Sequence, residues 1–210
     1  MSDTTTGGTE NRAAEGDVVP DGRRARRDRN RDAVVDALLE LHREGNLAPT
    51  VAEVAAQSGV SHRSVFRYFE DIDELGRAAV ERQQALVAHL LVVPDLGIGS
   101  FASRVDAIVA QRLSLYEEVK PTARVARLRA PFQPVIAATV AESRRLLREQ
   151  LRAQFEPELS AMGPDVAEAA LAAADVLVSF EGAELLREGR QLSVEATAAV
   201  FRHGLVSLFG

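Results

Sequence analysis

Residues 50–69, TVAEVAAQSGVSHRSVFRYF, constrain the fold more tightly than any other part of the chain. Thr50 and Glu53 stand at capping-box spacing, in which each side chain bonds the other residue's backbone N–H and starts a helix. Ala55 is small where a second helix must cross closely. Gly59, four residues on, can take the left-handed conformation that ends the first helix. Ser61 is then a natural N-cap for a second helix, with Val65 and Phe69 one turn apart on its inner side. Two short helices joined by a tight turn form the pattern of a helix-turn-helix, whose second helix enters the major groove of DNA.

The residues left facing outward suit that role. With Val65 and Phe69 inward, His62, Arg63, Phe66 and Arg67 fall on the other faces of the same two turns. Arg forms a bidentate pair with guanine, and hydroxyl or imidazole groups reach base edges or phosphate oxygens. The candidate contacts in this segment are therefore Thr50, Ser61, His62, Arg63, Ser64, Arg67 and Tyr68. Just upstream, Arg23, Arg24, Arg26, Arg27, Arg29 and Arg31 place six arginines in nine residues. Such a run suits an arm for phosphates or the minor groove, with Arg26, Arg27 and Arg29 as its candidate contacts. The plainer readings are a helix hairpin that meets no nucleic acid and a basic run that is merely solvated.

On these residues the chain resembles the tetracycline-repressor (TetR) family of bacterial regulators. The matching run is Thr50 through Leu75: the Thr-capped helix, Ala55-x-x-x-Gly59-Val60-Ser61, then Phe66-Arg67-Tyr68-Phe69 and Asp73-Glu74-Leu75. The family usually has a Thr near Ser64, a Tyr where Phe66 stands and a Lys where Ile72 stands. Phe66 and Ile72 cannot make the phosphate contacts of a hydroxyl and an ammonium, although Tyr68 keeps a hydroxyl in the segment. A weaker echo in Ser179 to Arg187 and in Leu192-Ser193 looks like the family's last two helices. The resemblance implies a homodimeric repressor that a small-molecule effector releases from its operator, with the dimer made by the last two long helices.

Charge is distributed as a DNA reader needs. The net charge is −6, yet residues 23–69 carry nine arginines against six acids, and the remainder is acidic. A locally basic head on an acidic body suppresses indiscriminate binding to the duplex. There is no cysteine, which excludes disulfides and thiolate zinc sites. No apolar run approaches the ~20 residues of a membrane span, and Met1 to Thr6 lack the apolar region of a secretory signal. The expectation is a cytoplasmic protein without membrane contact. The four histidines show no metal-ligand spacing, and no nucleophile-elbow, phosphate-loop or metalloprotease motif occurs, so neither an enzyme nor a cofactor is expected.

Periodicity predicts an all-α chain of about nine helices. An acidic tail over 1–22 has too few large apolar residues to order and reads as disordered. A three-helix helix-turn-helix domain with its Arg arm follows over 23–71, and a helical regulatory and dimerisation domain over 72–210. Helices are expected over about 28–44, 51–58, 62–69, 72–92, 101–119, 122–130, 133–155, 165–188 and 194–209. The fourth carries a stripe of Ile72, Leu75, Ala79, Leu86 and Leu90. The helices over 165–188 and 194–209 are apolar on two sides, as expected of elements shared between two subunits or wholly internal. A twofold dimer presents two recognition helices to the half-sites of a palindromic operator.

Two oddities point to a small-molecule site. Arg112 lies in the middle of the apolar stripe Phe101, Val105, Ile108, Tyr116 and Val119. Glu184 extends the stripe that ends at Phe180, with Glu181 at its edge. Buried charge requires a partner, so Arg112, Tyr116, Phe180, Glu181 and Glu184 either line a pocket around an otherwise apolar ligand or form a structural Arg–Glu pair. Arg82 and Gln83 are placed to couple such a pocket to the DNA-binding domain. The competing functions are a DNA-binding regulator with no small-molecule ligand and an all-helical protein-interaction module.

Overall fold

The structure is a computed structural model and describes residues 22–210, so the expected acidic tail lies outside it but for Gly22. Among the described residues there are ten α-helices and no strand. They are α1 (Gly22–Arg43), α2 (Val51–Ser58), α3 (His62–Tyr68), α4 (Ile72–Val87), α5 (Phe101–Arg129), α6 (Pro134–Gln154), α7 (Glu156–Ala161), α8 (Pro164–Leu177), α9 (Phe180–Glu184) and α10 (Val194–Phe209). A 3₁₀ turn over Ala88–Leu91 follows α4, and a π-helical turn over Leu185–Gly189 follows α9.

Two cores hold these helices. Val34, Leu38, Val54, Val65, Phe69 and Leu75 are almost fully buried where α1, α2, α3 and the start of α4 meet. Each contributes about 1.5–3 kcal/mol relative to exposure. Ile108, Leu151, Phe155, Leu171, Phe201 and Leu205 do the same for α5, α6, α8 and α10. The helices α1 and α4 also pack on α5, and α4 packs on α6. Buried Arg104 of α5 ties α7 in through a two-pronged pair with Glu158, at 2.5 and 2.8 Å.

The structure departs from the periodicity in five places. The helix α1 begins at Gly22, ahead of the expected start near 28, so the whole arginine run from Arg23 to Arg31 is helical. Arg is a strong helix former, and Asp28 lies one turn from both Arg24 and Arg31. The helix α4 stops at Val87, and its buried face is Leu75, Ala79, Gln83 and Val87. Ile72 and Leu86, expected on the inner stripe, are 38% and 42% exposed.

The pair expected over 101–119 and 122–130 is one helix, α5, with Pro121 inside it. Pro121 removes a single backbone bond. The C-terminal half of α5 is held by a ladder of ion pairs to the segment after α8: Lys120 to Glu188, Arg124 to Glu184, and Arg127 to Glu181 at 2.7 Å. The short α7 starts with Pro157 in its first turn, where the missing N–H is harmless. The helix expected over 165–188 breaks at Val178–Ser179. Ser179 caps α9 by accepting the Gly182 N–H at 2.9 Å. The Val178 carbonyl freed by the break accepts the Tyr116 hydroxyl at 2.7 Å. Gly182 makes the sharp re-entry possible, because a Cβ there would lie 2.5 Å from the Leu177 carbonyl oxygen.

Candidate functional site

The helix-turn-helix forms as its local chemistry requires. Glu53 accepts the Thr50 N–H at 2.7 Å, and the Thr50 hydroxyl accepts the Glu53 N–H at 3.3 Å. Gly59 closes α2 at φ 67°, and Ser61 caps α3 by accepting the Ser64 N–H at 3.3 Å. Val65 and Phe69 are buried beneath α3, which leaves His62, Arg63, Phe66 and Arg67 exposed on its far side. Phe66 is 52% exposed and meets the His62 ring edge-to-face at 5.1 Å, so an aromatic pair stands beside the two arginines.

Five of the α1 arginines fall into two groups. Arg31 is structural: its guanidinium lies 4.8 Å from the Phe69 ring centre and 3.9 Å from Glu74. Arg24, Arg26, Arg27 and Arg29 are exposed and form no ion pair among the described residues. Arg27 lies close enough to α3 to help lower the Tyr68 phenol, after the hydrogen bonds from Asn30 and Arg67.

A cavity of about 290 Å³ lies where α1 and α4 meet α5, α6 and the break before α9. Its walls include Leu39, Ala79, Val87, Val119, Val140 and Phe180. Arg112 is fully buried at its edge and donates to the Gln150 side chain at 2.8 Å, the Leu147 carbonyl at 2.7 Å, and the Gln111 side chain. Burial lowers its pKa, and burial pushes the neighbouring Tyr116 phenol up. Glu181 is opposed by its burial but held down at about 2 by hydrogen bonds from Arg127 and Arg144. Arg127 also lies over the Phe180 ring at 4.1 Å.

The helices α1 and α4 contribute two further polar groups to this cavity. His42 of α1 is pushed down to about 4 by its burial and then by the charge of Arg129, so it is neutral near pH 7. Its Nε2 and the Gln83 Oε1 of α4 are buried without a hydrogen-bond partner among the described residues. Each such group costs about 1–3 kcal/mol when left unpaired.

The model of the bacterial regulatory proteins of the tetR family matches residues 34–79, from the buried part of α1 into α4. The matched residues hold the whole helix-turn-helix, which is similar to that of the tetR family. It is a DNA-binding transcriptional regulator. The fold is similar to the crystal structure of a transcriptional regulator from Rhodococcus sp. Rha1, with a TM-score of 0.59 over 87% of this chain and 95% of that one. The two sequences are 19% identical, and the likeness is one of fold. No curated protein matches the sequence.

In this regulator the structure sorts the residues singled out from sequence. His62, Arg63 and Arg67 share the open side of α3, with Ser64 half-buried beside them. The Thr50 and Ser61 hydroxyls are engaged in their caps. Tyr68 is 6% exposed, and its hydroxyl accepts bonds from Asn30 and Arg67 at 3.2 Å each, so it fastens α3 to α1 rather than standing free for a phosphate. Arg112, Tyr116, Phe180 and Glu181 border one cavity. Glu184 does not: the break at Ser179 resets the helical phase and turns it to Arg124. The suggested Arg112–Glu184 pair is thus replaced by two separate sets of partners. His42 and Arg129 were missed as cavity residues. The available signal was a histidine on the stripe of Leu38 and Leu39, one turn along.

No group of His, Asp and Glu able to hold a metal occurs among the described residues. No described helix is long and apolar enough to cross a membrane.

Proposed function

We propose that this regulator is a homodimeric repressor that reads a palindromic operator and is released from it by a small molecule held in the cavity. The observation that carries the reading is the composition of the cavity wall: Leu38, Leu39 and His42 of α1 and Gln83 of α4 share it with α5 and α6. A ligand filling that space interacts differently with each disposition of the DNA-binding domain, which is the requirement for coupling two sites. Arg82 supports the same coupling through its two-pronged pair with Asp36 of α1, at 2.9 and 3.1 Å.

Dimerisation is supported by the outer face of α8. Val166, Ala169, Ala173 and Val176 recur at helical spacing and are exposed, Val166 at 61% and Val176 at 72%. A second copy covering this stripe and exposed Val206 of α10 would bury it. The test is a binding selection from fragmented host DNA with the wild type and an Arg63→Ala, Arg67→Ala double variant. Enrichment of a palindrome by the wild type, lost or relaxed in the variant, is the expected outcome. No enrichment by either protein at low salt removes the repressor reading and leaves the interaction module in its place.

A further inference from the structure

We infer that the molecule taken by this cavity is an amphipathic monocarboxylic acid, with its apolar body between the aliphatic walls and its carboxylate at Arg129, His42 and Gln83. The inference rests on reading the cavity as the effector site and assigns the chemical class of the effector. Two independent observations carry it.

The first is hydrogen bonding. His42 Nε2 and Gln83 Oε1 are the buried side-chain polar atoms left without a partner among the described residues, and both sit on side chains that line this one cavity. Their residues are 5% and 8% exposed, so water satisfies neither from the surface. Two unmatched groups on one apolar wall imply a polar group on what fills it.

The second is charge. Four guanidiniums border the cavity (Arg112, Arg127, Arg129 and Arg144) against the carboxylates of Glu142, Asp175 and Glu181. Glu142 is taken by Arg145 at 2.5 Å, and Asp175 faces Arg148 at 3.5 Å. Glu181 serves both Arg127 and Arg144. Arg112 meets only neutral acceptors. The Arg129 guanidinium forms no hydrogen bond or ion pair among the described residues, lies against Gly76 of α4, and acts electrostatically on His42.

The surplus is positive, and half-buried Arg129 is its member without a protein partner among the described residues. A carboxylate matches the guanidinium fork of Arg129 with two acceptor oxygens. Neutral His42 donates through Nε2–H in one tautomer, and a half-turn of the Gln83 amide exchanges its oxygen for N–H donors. The mostly aliphatic walls around the remaining volume require an apolar body.

The test titrates the full chain by calorimetry with straight-chain acids from hexanoate to tetradecanoate, with their phenyl-terminated analogues, and with the alcohol corresponding to each. The expected result is binding of at least one acid, one molecule per chain, about tenfold or more tighter than its alcohol, as charge-assisted pairing requires. Arg129→Gln is expected to bring the acid down to the affinity of the alcohol while alcohol binding persists. Equal affinity for acid and alcohol, or no binding across the series, overturns the proposal. So does an acid preference that survives Arg129→Gln, because the carboxylate then sits elsewhere. Operator affinity is measured separately with the bound acid. An acid that binds with Arg129-dependent preference but leaves operator affinity unchanged upholds the ligand class and removes the effector-release reading.

Discussion

At the scale of the residue, two chemistries are separable by mutation. Arg63 stands exposed near the start of α3, where recognition helices meet base edges, whereas Arg27 stands on α1 beside them. Arg63→Ala is expected to weaken operator binding by about 1–3 kcal/mol and to relax sequence preference. Arg27→Ala is expected to weaken all sequences alike and to lower the slope of log affinity against log salt by about one. Fluorescence anisotropy across a salt series, on operator and random duplex, reads both effects. Loss of specificity in the Arg27 variant alone reverses the assignment.

His42 makes a pH prediction. Its folded value lies near 4 against an ordinary 6.5, so the unfolded chain takes up a proton in that window and the folded chain does not. Stability rises with pH wherever the unfolded state binds more protons. The contribution of neutral His42 is therefore complete above pH 6.5 and is lost as pH falls toward 4. Urea unfolding at stepped pH is expected to show this fall, and His42→Gln is expected to flatten it.

At the scale of the element, the break between α8 and α9 shows how a helix ends without a proline. Ser179 offers the cap, Gly182 admits the close approach of the Leu177 carbonyl, and Tyr116 accepts responsibility for the freed Val178 carbonyl by donating its hydroxyl. Ala for Gly normally steadies a helix by restricting the unfolded chain. At Gly182 the added Cβ would lie 2.5 Å from one carbonyl oxygen and 3.0 Å from another. Gly182→Ala is therefore expected to destabilise the fold by about 1–3 kcal/mol, read as a lower Tm. An unchanged or raised Tm would mean that the backbone relaxes freely there. Pro121 is the opposite lesson, a helix breaker carried through α5 by the ion-pair ladder to Glu181, Glu184 and Glu188. Each rung is weak at a surface, and the set acts on one helix.

At the scale of the whole molecule, the proposed twofold partner and the cavity would answer different needs. The exposed stripe on α8 asks for an apolar cover, and the unpaired groups around the cavity ask for a polar one. Val176→Glu places a charge on the proposed interface, where burial without a partner is unfavourable. It is expected to shift the protein from dimer to monomer by light scattering and to weaken operator binding, with the helical fold retained. A Val176→Glu dimer of undiminished affinity moves the interface off this face of α8.

Capping boxes, N-caps and turn glycines act between residues three or four apart. Thr50, Glu53, Gly59 and Ser61 therefore defined the helix-turn-helix, and Val65 and Phe69 its inner side, with no knowledge of the rest of the chain. The same locality explains α10, whose start at Ser193 was legible, and the stripe that brought Arg112 and Tyr116 to one cavity with Phe180. Partner choice among charges was not legible. Arg112 turned to Gln111, Gln150 and a carbonyl, and Glu184 turned to Arg124, because ion pairing depends on distances between helices and not along them. The break at Ser179 hid for a related reason: the Tyr116 hydroxyl that donates to the freed Val178 carbonyl comes from another helix. Only the packing of α1 and α4 onto α5 brought His42, Gln83 and Arg129 to one place, since each belongs to a different helix and no periodicity links them.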